Sequence, residues 1–401
     1  MRVLFAPDSF KGTIGSVDAA TALMEGWASV RGDDDLVAMP QADGGEGTLD
    51  VLAACPPDSS WSVASSVCGP EGRPVDARWL TLADGRAVVE LAESSGIALM
   101  EELDPFGATT RGLGEVLRAC GSDRVSVALG GSASTDGGLG VLRAFGVRVL
   151  DADGADVPEG AAGLVAARSV DTSGLAGVPS DLEVLTDTRA VLFGTDGAAQ
   201  VFGPQKGASA HDIAVMDEAL ERWARLLAEA GLSADPSLPG TGAAGGTGFG
   251  LVALGARIAG GAERVSELTG LAAAVPSADL VVTGEGKFDR TSLTGKLVGH
   301  VVQMCSDAGV PVVVVAGAVD VESDVSSVSL TDLAGGVDAA MADARGWLME
   351  AGRAAARSHA AARRPWHSAH EVAELFDGPR ADPWRPDQSA VDDVIVDPWQ
   401  R

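Results

Sequence analysis

The sequence predicts an α/β fold in which a domain with a largely parallel sheet is interrupted by a second, mixed domain. Three observations support this prediction: a size and composition that allow a large core, a repeated order of strand, glycine-rich loop and helix, and one interval with a different pattern. The chain has 401 residues, of which 46% are hydrophobic, so two or three domains are expected. We therefore expect an ordinary soluble globular protein.

The repeated order begins at the N-terminus. Residues 2–6 form a short apolar run, residues 7–15 supply turn and capping residues, and residues 16–30 carry apolar residues at the helical period. The same order recurs three times and is followed by one more apolar run, at residues 35–55, 124–146, 279–309 and 310–317. Strands that alternate with helices and are apolar on both faces are typical of parallel sheets. The sequence therefore predicts that the first domain is Rossmann-like or flavodoxin-like.

The interval with a different pattern covers residues 66–95. Apolar and polar residues alternate there around GPEG and ADG turns, which is typical of antiparallel hairpins. A glycine-rich loop at residues 235–250 precedes a further helix, after which we expect the chain to return to the first domain. We predict a Rossmann-like domain formed by residues 1–65 and 275–363, with a mixed α/β domain, residues 66–274, inserted into it.

The C-terminal segment, residues 364–401, differs in composition from the rest of the chain. It holds three of the eight tryptophans and five of the nineteen prolines. Closely spaced prolines exclude a long helix, and tryptophans without a period suit a segment that docks on the body of the protein or binds a partner. We favour docking for this tail, with partner binding as the alternative.

Charge and cysteine content exclude several functional classes. A net charge of −28 repels nucleic acids and anionic membranes, because binding to them depends on Lys and Arg that neutralise phosphates. We therefore expect neither nucleic acids nor membranes as partners. The four cysteines lie far apart, without the spacing of a zinc site or a disulfide framework. The apolar runs are too short for a signal peptide or a membrane span, so we expect a cytoplasmic protein.

Lysine is rare, and its positions point to chemistry. The four lysines, Lys11, Lys206, Lys287 and Lys296, all lie in glycine-rich segments. Loops between a strand and a helix favour anions, because free backbone amides and the helix dipole meet there. Phosphoryl transfer to an alcohol needs cations on the phosphate, carboxylates for magnesium, and a residue that orients or deprotonates the hydroxyl. Carboxylates accompany the lysines in these loops, although helix capping or a solvated turn explains any single one equally well.

Two familiar phosphate motifs do not fit. The segment that ends in Lys296 is not a P-loop, because Leu297 follows the lysine and Arg290 stands where the first glycine is required. Residues 240–245, GTGAAG, have the spacing of a dinucleotide-binding loop but follow a proline-containing loop instead of a strand. We interpret them as a substrate or phosphate loop, with a plain helix-entry turn as the equal alternative.

Seven segments occur together in a recognisable order: APDSFKG, QADGGEGT, TTRGLGE, LGGSASTDGG, VFGPQKGAS, PGTGAAGGTGFG and TGEGKFDRTSLTGK. In this order and spacing the chain, from residue 1 to about residue 363, closely resembles the bacterial class I glycerate kinases. The resemblance implies phosphorylation of glycerate with ATP and Mg²⁺, typically to 2-phosphoglycerate. It also implies two α/β domains with the active site in the cleft between them. The sequence leaves open whether the chain forms a homodimer.

The resemblance also implies the site residues. The binding residues are Asp8, Ser9, Lys11, Gly44, Gly45, Gly131, Ser132, Asp136, Gly245, Gly246, Gly284, Glu285 and Lys287. The catalytic residues are Arg111, Asp187, Lys206, Asp289 and Lys296, and the magnesium ligands are Asp43 and Glu46. From their chemistry we expect lysines and loop amides on phosphates, and Arg111 on the substrate carboxylate. Either Asp289 or Asp187 is expected beside the attacking hydroxyl.

One departure from the family pattern affects these expectations. The family usually reads D-V-x-N-P-L before the Lys206 loop, whereas residues 187–192 of this chain read DTRAVL. Ala190 cannot orient a substrate or a metal-bound water as an amide does. Two alternatives to a glycerate kinase therefore stay open: a kinase of another small hydroxy acid, and a weakened relative that binds a phosphorylated metabolite without turnover. The sequence also leaves the choice between 2- and 3-phosphoglycerate undecided.

Overall fold

The computed structural model describes residues 1–55, 58–293, 296–321 and 323–361. Numbered in chain order, the strands are β1 (Arg2–Pro7), β2 (Asp35–Ala38), β3 (Ser59–Cys68), β4 (Pro74–Leu82), β5 (Ala87–Glu90), β6 (Arg124–Ala128), β7 (Arg148–Leu150), β8 (Ser169–Asp171), β9 (Asp181–Leu185), β10 (Arg257–Ala259), β11 (Leu280–Phe288), β12 (Val312–Val319) and β13 (Ser326–Ser329). The predicted tail, residues 364–401, lies outside the described residues.

The helices of the described segments are numbered in the same way. They are α1 (Ser16–Ala28), α2 (Thr48–Ala54), α3 (Ala92–Ser95), α4 (Arg111–Ala119), α5 (Leu139–Ala144), α6 (Gly160–Ala166), α7 (Ala198–Phe202), α8 (Ala210–Glu229), α9 (Ala243–Ala253), α10 (Gly261–Leu268), α11 (Leu271–Ala274), α12 (Leu297–Ala308), α13 (Leu330–Ala334), α14 (Val337–Ala342) and α15 (Ala344–Ala361). Among these residues no helix combines the length and the apolar character needed to cross a membrane.

The chain forms two compact units, which divide it differently from the predicted domains. Unit 1 consists of Met1–Gln41 and Gly270–Arg401, and unit 2 is the intervening segment Ala42–Thr269. The sequence places residues 42–65 with the first domain, because strand, loop and helix follow one another there. In the structure, α2 instead buries Leu49 and Leu52 against Leu80 and Val88 of unit 2. The helix therefore covers the second sheet.

Unit 1 contains a five-stranded sheet in the order β2-β1-β11-β12-β13, and all of its strand pairs are parallel. Counted along unit 1 alone, this is the order 2-1-3-4-5 of a flavodoxin-like sheet. The structure thus confirms the predicted α/β class and parallel sheet. The order reverses between β1 and β11, and ligands of such sheets bind at the carboxyl ends of the strands at this point.

The core of unit 1 lies between its sheet and helices α1 and α15. Val3, Phe5 and Val282 of the strands pack against Leu23 and Trp27 of α1. The two helices approach closely because glycines line their contact. A Cβ atom at Gly26 would overlap the backbone of Met349, and one at Gly352 would overlap the backbone of Leu23. A side chain at either position would push the helices apart.

Unit 2 contains a six-stranded mixed sheet in the order β10-β9-β6-β5-β4-β3. The pairs β3–β4 and β4–β5 are antiparallel, as the pattern of residues 66–95 predicts, and the remaining pairs are parallel. A separate pair of antiparallel strands, β7 and β8, lies outside this sheet. One core cluster packs the sheet against α4, and a second is formed by helices α5, α6, α8 and α9 around Trp223.

Candidate active site

The predicted site residues of unit 1 meet where the strand order reverses. The loop with Asp8, Ser9 and Lys11 follows β1, and Gly284 and Glu285 lie on the adjacent β11. Pro7 pairs with Gly284 in parallel register, and the Asp8 backbone amide donates to the Gly284 carbonyl at 2.8 Å. The structure therefore brings the first and last predicted loops together at the edge of the sheet where ligands of this fold bind.

Glu285 is the most unusual group of unit 1. Glu285 is only 9% exposed, and among the residues that the structure describes its Oε1 has no hydrogen-bond partner. Burial raises the pKa of this carboxyl to about 7, against the opposing effects of a hydrogen bond with Ser292 and of the charges of Lys296 and Lys11. A buried polar atom without a partner costs free energy. Glu285 is therefore suited to accept a hydrogen bond from a ligand.

Replacing Glu285 with Gln should change how stability depends on pH. The pKa of Glu285 is higher in the folded chain than its usual 4.5, so the folded state binds the proton more tightly than the unfolded state does. The tighter binding of this proton therefore stabilises the folded chain. The stabilisation is fully present below about pH 4.5 and is lost as the pH rises through 7. We expect wild type to lose about 2–4 kcal/mol relative to Glu285→Gln over this range. Urea unfolding of both proteins at several pH values measures this difference. Free energies of unfolding that change with pH in the same way in both proteins would contradict the prediction.

Asp289 and Lys287 are held by neighbours within unit 1. The Asp289 Oδ1 accepts from the Thr291 amide at 2.8 Å, from the Thr291 hydroxyl at 2.6 Å and from the Ser292 amide at 3.3 Å. Burial raises the pKa of Asp289, but the bonds from Thr291 and the charge of Lys296 outweigh it, and the pKa is lowered. Lys287 Nζ lies 3.1 Å from Asp320 Oδ2. Both groups thus have partners within the protein, and their roles toward a substrate stay predictions.

Lys296 and Lys11 lie on the surface of the same unit. Lys296 directly precedes α12, a helix of 12 residues, and its side chain is exposed. The amide groups and dipole at this helix end favour an anion. The charges of both lysines oppose the rise in the pKa of Glu285. They are the predicted cationic part of a site in unit 1.

In unit 2, the loop of Asp43 and Glu46 lies against the loop that follows β6. Gly44 has a φ of 81°, and Asp43 Oδ1 accepts from the Gly45 amide at 3.0 Å. The Gly130 amide donates to the Gly44 carbonyl at 3.4 Å, and a Cβ atom at Gly130 would overlap Gly45. The two predicted loops therefore touch through their backbones, and only glycine allows this approach.

Asp187 lies beside the Asp43 loop. Its Oδ1 accepts from the Gly261 amide at 2.7 Å and its Oδ2 from the Ala262 amide at 3.0 Å, at the start of α10. A Cβ atom at Gly261 would overlap the carbonyl of Asp43, so the two aspartates are close in space. Burial raises the pKa of Asp187 to about 6, and the charge of Asp43 contributes. A carboxyl with this pKa can act as a general base near neutral pH.

The acidic groups of unit 2 suit a magnesium ion. Two neighbouring carboxylates raise each other's cost of ionisation, which a cation relieves. In the described part of the chain, no group of three or more His, Cys, Asp or Glu side chains is arranged to hold a metal. Mg²⁺ commonly takes only one or two carboxylates and completes its shell with water and substrate phosphates. Asp43 and Glu46 therefore fit this ion.

Asp136 joins three segments of unit 2 from the inside. It is fully buried and accepts from the Thr110 amide and hydroxyl, at 2.9 and 2.8 Å, and from the amides of Gly138 and Gly140, at 3.1 and 3.2 Å. Burial raises its pKa, and these donors oppose the rise. With four donors already on its carboxylate, Asp136 fixes the starts of α4 and α5.

Lys206 is also inside unit 2. The residue is 2% exposed, and its Nζ donates to Ser132 Oγ at 2.8 Å and to the Ser134 carbonyl at 2.5 Å. Burial lowers the pKa of Lys206 to about 7, while the charge of Asp136 raises it. The sequence places this ammonium on a phosphate. In the structure it holds the loop that contains Gly131 and Ser132.

The guanidinium group of Arg111 forms ion pairs with two carboxylates of the protein itself. Its Nε lies 3.0 Å from Glu115 Oε1, and its Nη1 lies 3.3 Å from Glu159 Oε1. Glu159 also pairs with Arg143, at 3.1 Å. The guanidinium fork that we expect to bind a substrate carboxylate is therefore engaged, and it remains partly exposed.

The glycine-rich loop of residues 240–246 packs against the loop that Lys206 holds. Gly245 and Gly246 have φ values of 65° and 87°, and Ala244 has a φ of 52°. The Gly137 amide donates to the Gly245 carbonyl at 3.0 Å, and a Cβ atom at Gly245 would overlap Ser134. A positive φ in alanine is strained, and such strain often marks functional sites.

Glu90, which ends β5, is not among the site residues predicted from the sequence. It is 4% exposed, and its carboxylate accepts from the amides of Gly47 and Leu49. A single acid inside the apolar run AVVEL, residues 87–91, was the available signal. The same signal marks Glu183, which the sequence also left unassigned, but Glu183 is paired with Arg86, Arg257 and Arg264. That second acid belongs to a buried ionic network.

The sequence of this chain is similar to those of known glycerate kinases. A family model described as the glycerate kinase family matches residues 3–360. The chain is 38% identical over 333 residues to a glycerate kinase of Bacillus subtilis, with 81% of this chain and 87% of that protein covered. It is 36% identical over 331 residues to a glycerate 2-kinase of Escherichia coli K12, with 79% and 85% covered.

A solved structure supports the same relationship at the level of the fold. A crystal structure from Salmonella typhimurium LT2, assigned as glycerate kinase 2, superposes with a TM-score of 0.74 at 33% identity. The superposition covers 90% of this chain and 98% of the chain from Salmonella typhimurium. The sequence motifs, the two sheets and these matches lead to one conclusion: the chain belongs to the glycerate kinase family and is a kinase that transfers phosphate to an alcohol acceptor.

Proposed function

We propose that the protein transfers the γ-phosphoryl group of ATP to the C2 hydroxyl of glycerate in a Mg²⁺-dependent reaction that yields 2-phosphoglycerate and ADP. The observation that carries this proposal is the placement of Asp187 beside the Asp43 loop. It puts a carboxyl that can accept a proton next to carboxylates that can hold a cation. The relative from E. coli named glycerate 2-kinase supports the choice of the C2 position.

The geometry favours Asp187 over Asp289 as the general base. The pKa of Asp187 is raised to about 6, whereas that of Asp289 is lowered. As the hydroxyl oxygen of the acceptor bonds to the γ-phosphorus, Asp187 accepts the proton of that hydroxyl. The bond between that phosphorus and the bridging oxygen breaks, and ADP departs with the electron pair.

Asp43 and Glu46 would hold the magnesium ion. When bound, Mg²⁺ neutralises charge on the phosphates. The loop of Asp43 is anchored by its own bond to the Gly45 amide and by its contact with Gly130. The chain thereby fixes the Asp43 carboxylate and the backbone of its loop before the ion arrives, which lowers the entropy that binding must remove.

The cations have different roles in this proposal. Lys11 and Lys296 bind phosphate oxygens as exposed point charges. Lys206 instead positions the Ser132 loop through its two hydrogen bonds. Arg111 binds the glycerate carboxylate by exchanging Glu115 or Glu159 for it, since a bidentate fork suits either carboxylate.

The proposed reaction is tested with purified protein, D-glycerate, ATP and Mg²⁺. Release of ADP reports turnover, and a proton-coupled phosphorus spectrum of the product reports the position of transfer. A phosphate on the secondary C2 carbon couples to one proton and gives a doublet, whereas a phosphate on the C3 methylene gives a triplet. A triplet would overturn the assignment to 2-phosphoglycerate, and the absence of turnover would overturn the activity.

Lys296, which is exposed, and Lys287, which is partly exposed on β11, provide a matched pair for this assay. Lys296→Met should reduce turnover strongly, because its ammonium precedes α12 and acts on Glu285. Lys287→Met should be much milder, because its ammonium is paired with Asp320. Equal losses in both variants would contradict the assignment of Lys296 to a phosphate.

A screen of acceptors addresses the departure at Ala190. The Ala190 carbonyl accepts from the amides of Gly240 and Gly242 at 3.0 and 2.9 Å, and its side chain is buried. Residue 190 therefore acts on the glycine-rich loop through its backbone. Higher kcat/KM with another small 2-hydroxy acid than with glycerate would replace glycerate as the substrate. Binding without turnover of any acceptor would support a sensor of phosphorylated metabolites.

A further inference from the structure

Glu90 is a buried carboxylate that no part of the proposed reaction uses. Its Oε1 accepts from the Gly47 amide at 2.9 Å and its Oε2 from the Leu49 amide at 3.2 Å. These two atoms come from a segment more than 40 residues earlier in the chain. The charged groups that act on Glu90 are Glu93, Asp50 and Arg78, and Arg78 is hydrogen-bonded to Glu93. The two backbone amides are thus the direct partners of Glu90.

These amides begin a helix that needs an external acceptor. Helix α2 has only seven residues, and Gly47, its N-cap residue with a φ of 89°, has no side chain to cap it. The first amides of a helix have no partner within it, and so short a helix is unstable by itself. Glu90 supplies the missing acceptors from the end of β5. The start of α2 is thereby fixed to the carboxyl edge of the second sheet.

The Glu90 contact extends to the proposed magnesium ligands through one peptide bond and two hydrogen bonds. Glu46 is the residue directly before Gly47. The Thr48 hydroxyl donates to the Gly45 carbonyl at 2.7 Å, and the Gly45 amide donates to Asp43 Oδ1 at 3.0 Å. Any shift of Gly47 and Leu49 would therefore displace both acidic side chains. Partners of metal ligands that act in this indirect way commonly change metal affinity by about 10- to 100-fold when they are replaced.

We propose that Glu90 is a positioning residue that sets the divalent-cation affinity of the site by holding the loop of Asp43 and Glu46. This inference rests on the proposed function, in which these two carboxylates hold Mg²⁺. Glu90 itself touches neither substrate nor ion. Its role is to accept the amides of Gly47 and Leu49, so that the loop has one conformation before a cation binds.

The test compares Glu90→Gln with Glu93→Gln. Gln keeps the size of the side chain but offers one acceptor oxygen instead of two, so one amide loses its partner. Burial already raises the pKa of Glu90 to about 7, so the fold accommodates an uncharged group here. Glu93 is the matched control, because it lies three residues further on and is bound to Arg78 at the surface.

Three measurements on the full chain give the outcome. Electron paramagnetic resonance measures Mn²⁺ binding without substrates, hydrogen exchange measures protection of the amides of residues 47 and 49, and turnover measures the Mg²⁺ dependence. For Glu90→Gln we expect Mn²⁺ binding to weaken about tenfold or more, both amides to exchange faster, and the KM for glycerate to stay within about twofold of wild type. Glu93→Gln should match wild type in all three.

Several results would overturn the inference. They are wild-type Mn²⁺ affinity in Glu90→Gln, unchanged exchange at residues 47 and 49, or a wild-type chain that binds no Mn²⁺. If Glu90→Gln does not fold, Glu90→Asp keeps the charge with a shorter reach and should show a smaller loss of Mn²⁺ affinity. A wild-type chain that binds Mn²⁺ but does not phosphorylate glycerate would contradict the proposed function alone, and the Mn²⁺ and exchange results would still judge Glu90.

Discussion

Replacing Asp187 with Asn should lower kcat by about a hundredfold or more, the usual contribution of a general base. Asn keeps an oxygen that can accept from the Gly261 amide, so the start of α10 retains one of its two acceptors. The amide cannot take up the proton of the acceptor hydroxyl. Release of ADP under saturating glycerate, ATP and Mg²⁺ measures the loss.

The pH profile separates loss of the base from general damage. Because burial raises the pKa of Asp187 to about 6, protonation should inactivate wild type as the pH falls through this value. The acid side of the profile should be absent in Asp187→Asn. Asp289→Asn serves as the control, since Asp289 is engaged by Thr291 and Ser292. A larger loss in Asp289→Asn than in Asp187→Asn would reverse the assignment of the base.

Replacing Lys206 with Met should separate stability from activity. The pKa of Lys206 falls from 10.5 to about 7 on burial, so the folded chain holds an ammonium at neutral pH only at a cost of about 3–5 kcal/mol. Met fills a similar volume without that cost, although Ser132 Oγ and the Ser134 carbonyl lose a donor. Because the desolvation cost is larger than the net value of two hydrogen bonds, the variant should be at least as stable as wild type at pH 7.

The same substitution should remove most of the activity, because the Ser132 loop loses the group that holds it. The stability difference should also depend on pH. Folding lowers the pKa of Lys206, so the unfolded state binds more protons between about pH 7 and 10.5, and wild type gains stability over this range. Urea unfolding of both proteins at several pH values measures this gain. A constant difference, or a strongly destabilised variant at pH 7, would contradict the prediction.

Local sequence patterns predicted the α/β fold, and they also supplied the candidate site loops. Apolar runs such as LVVT, followed by glycine and a helical period, are produced by a strand that is buried on both faces. β1 and β11, which pair in parallel in the structure, are two such runs. Residues 42–65 were assigned differently because the pattern shows that α2 is a helix but not which sheet its Leu49 and Leu52 cover.

The roles of individual side chains were harder to predict, because they depend on partners distant in sequence. The sequence shows Lys206 in a glycine-rich loop, but its burial depends on Ser132 and Ser134, more than 70 residues earlier. Asp187 gains its raised pKa from burial and from Asp43. Glu90 was missed for the same reason, since its partners are backbone amides that leave no trace in residue type.

The backbone contact between Gly45 and Gly130 has a consequence for attempts to change the acceptor. Because a single methyl group at Gly130 would overlap Gly45, the loop after β2 and the loop after β6 cannot be redesigned one at a time. A longer or bulkier version of either would displace the other, and with it the acidic groups of the first and the serine hydroxyls of the second. New acceptor specificity in this scaffold should therefore be sought by transplanting both loops from one donor protein as a single cassette.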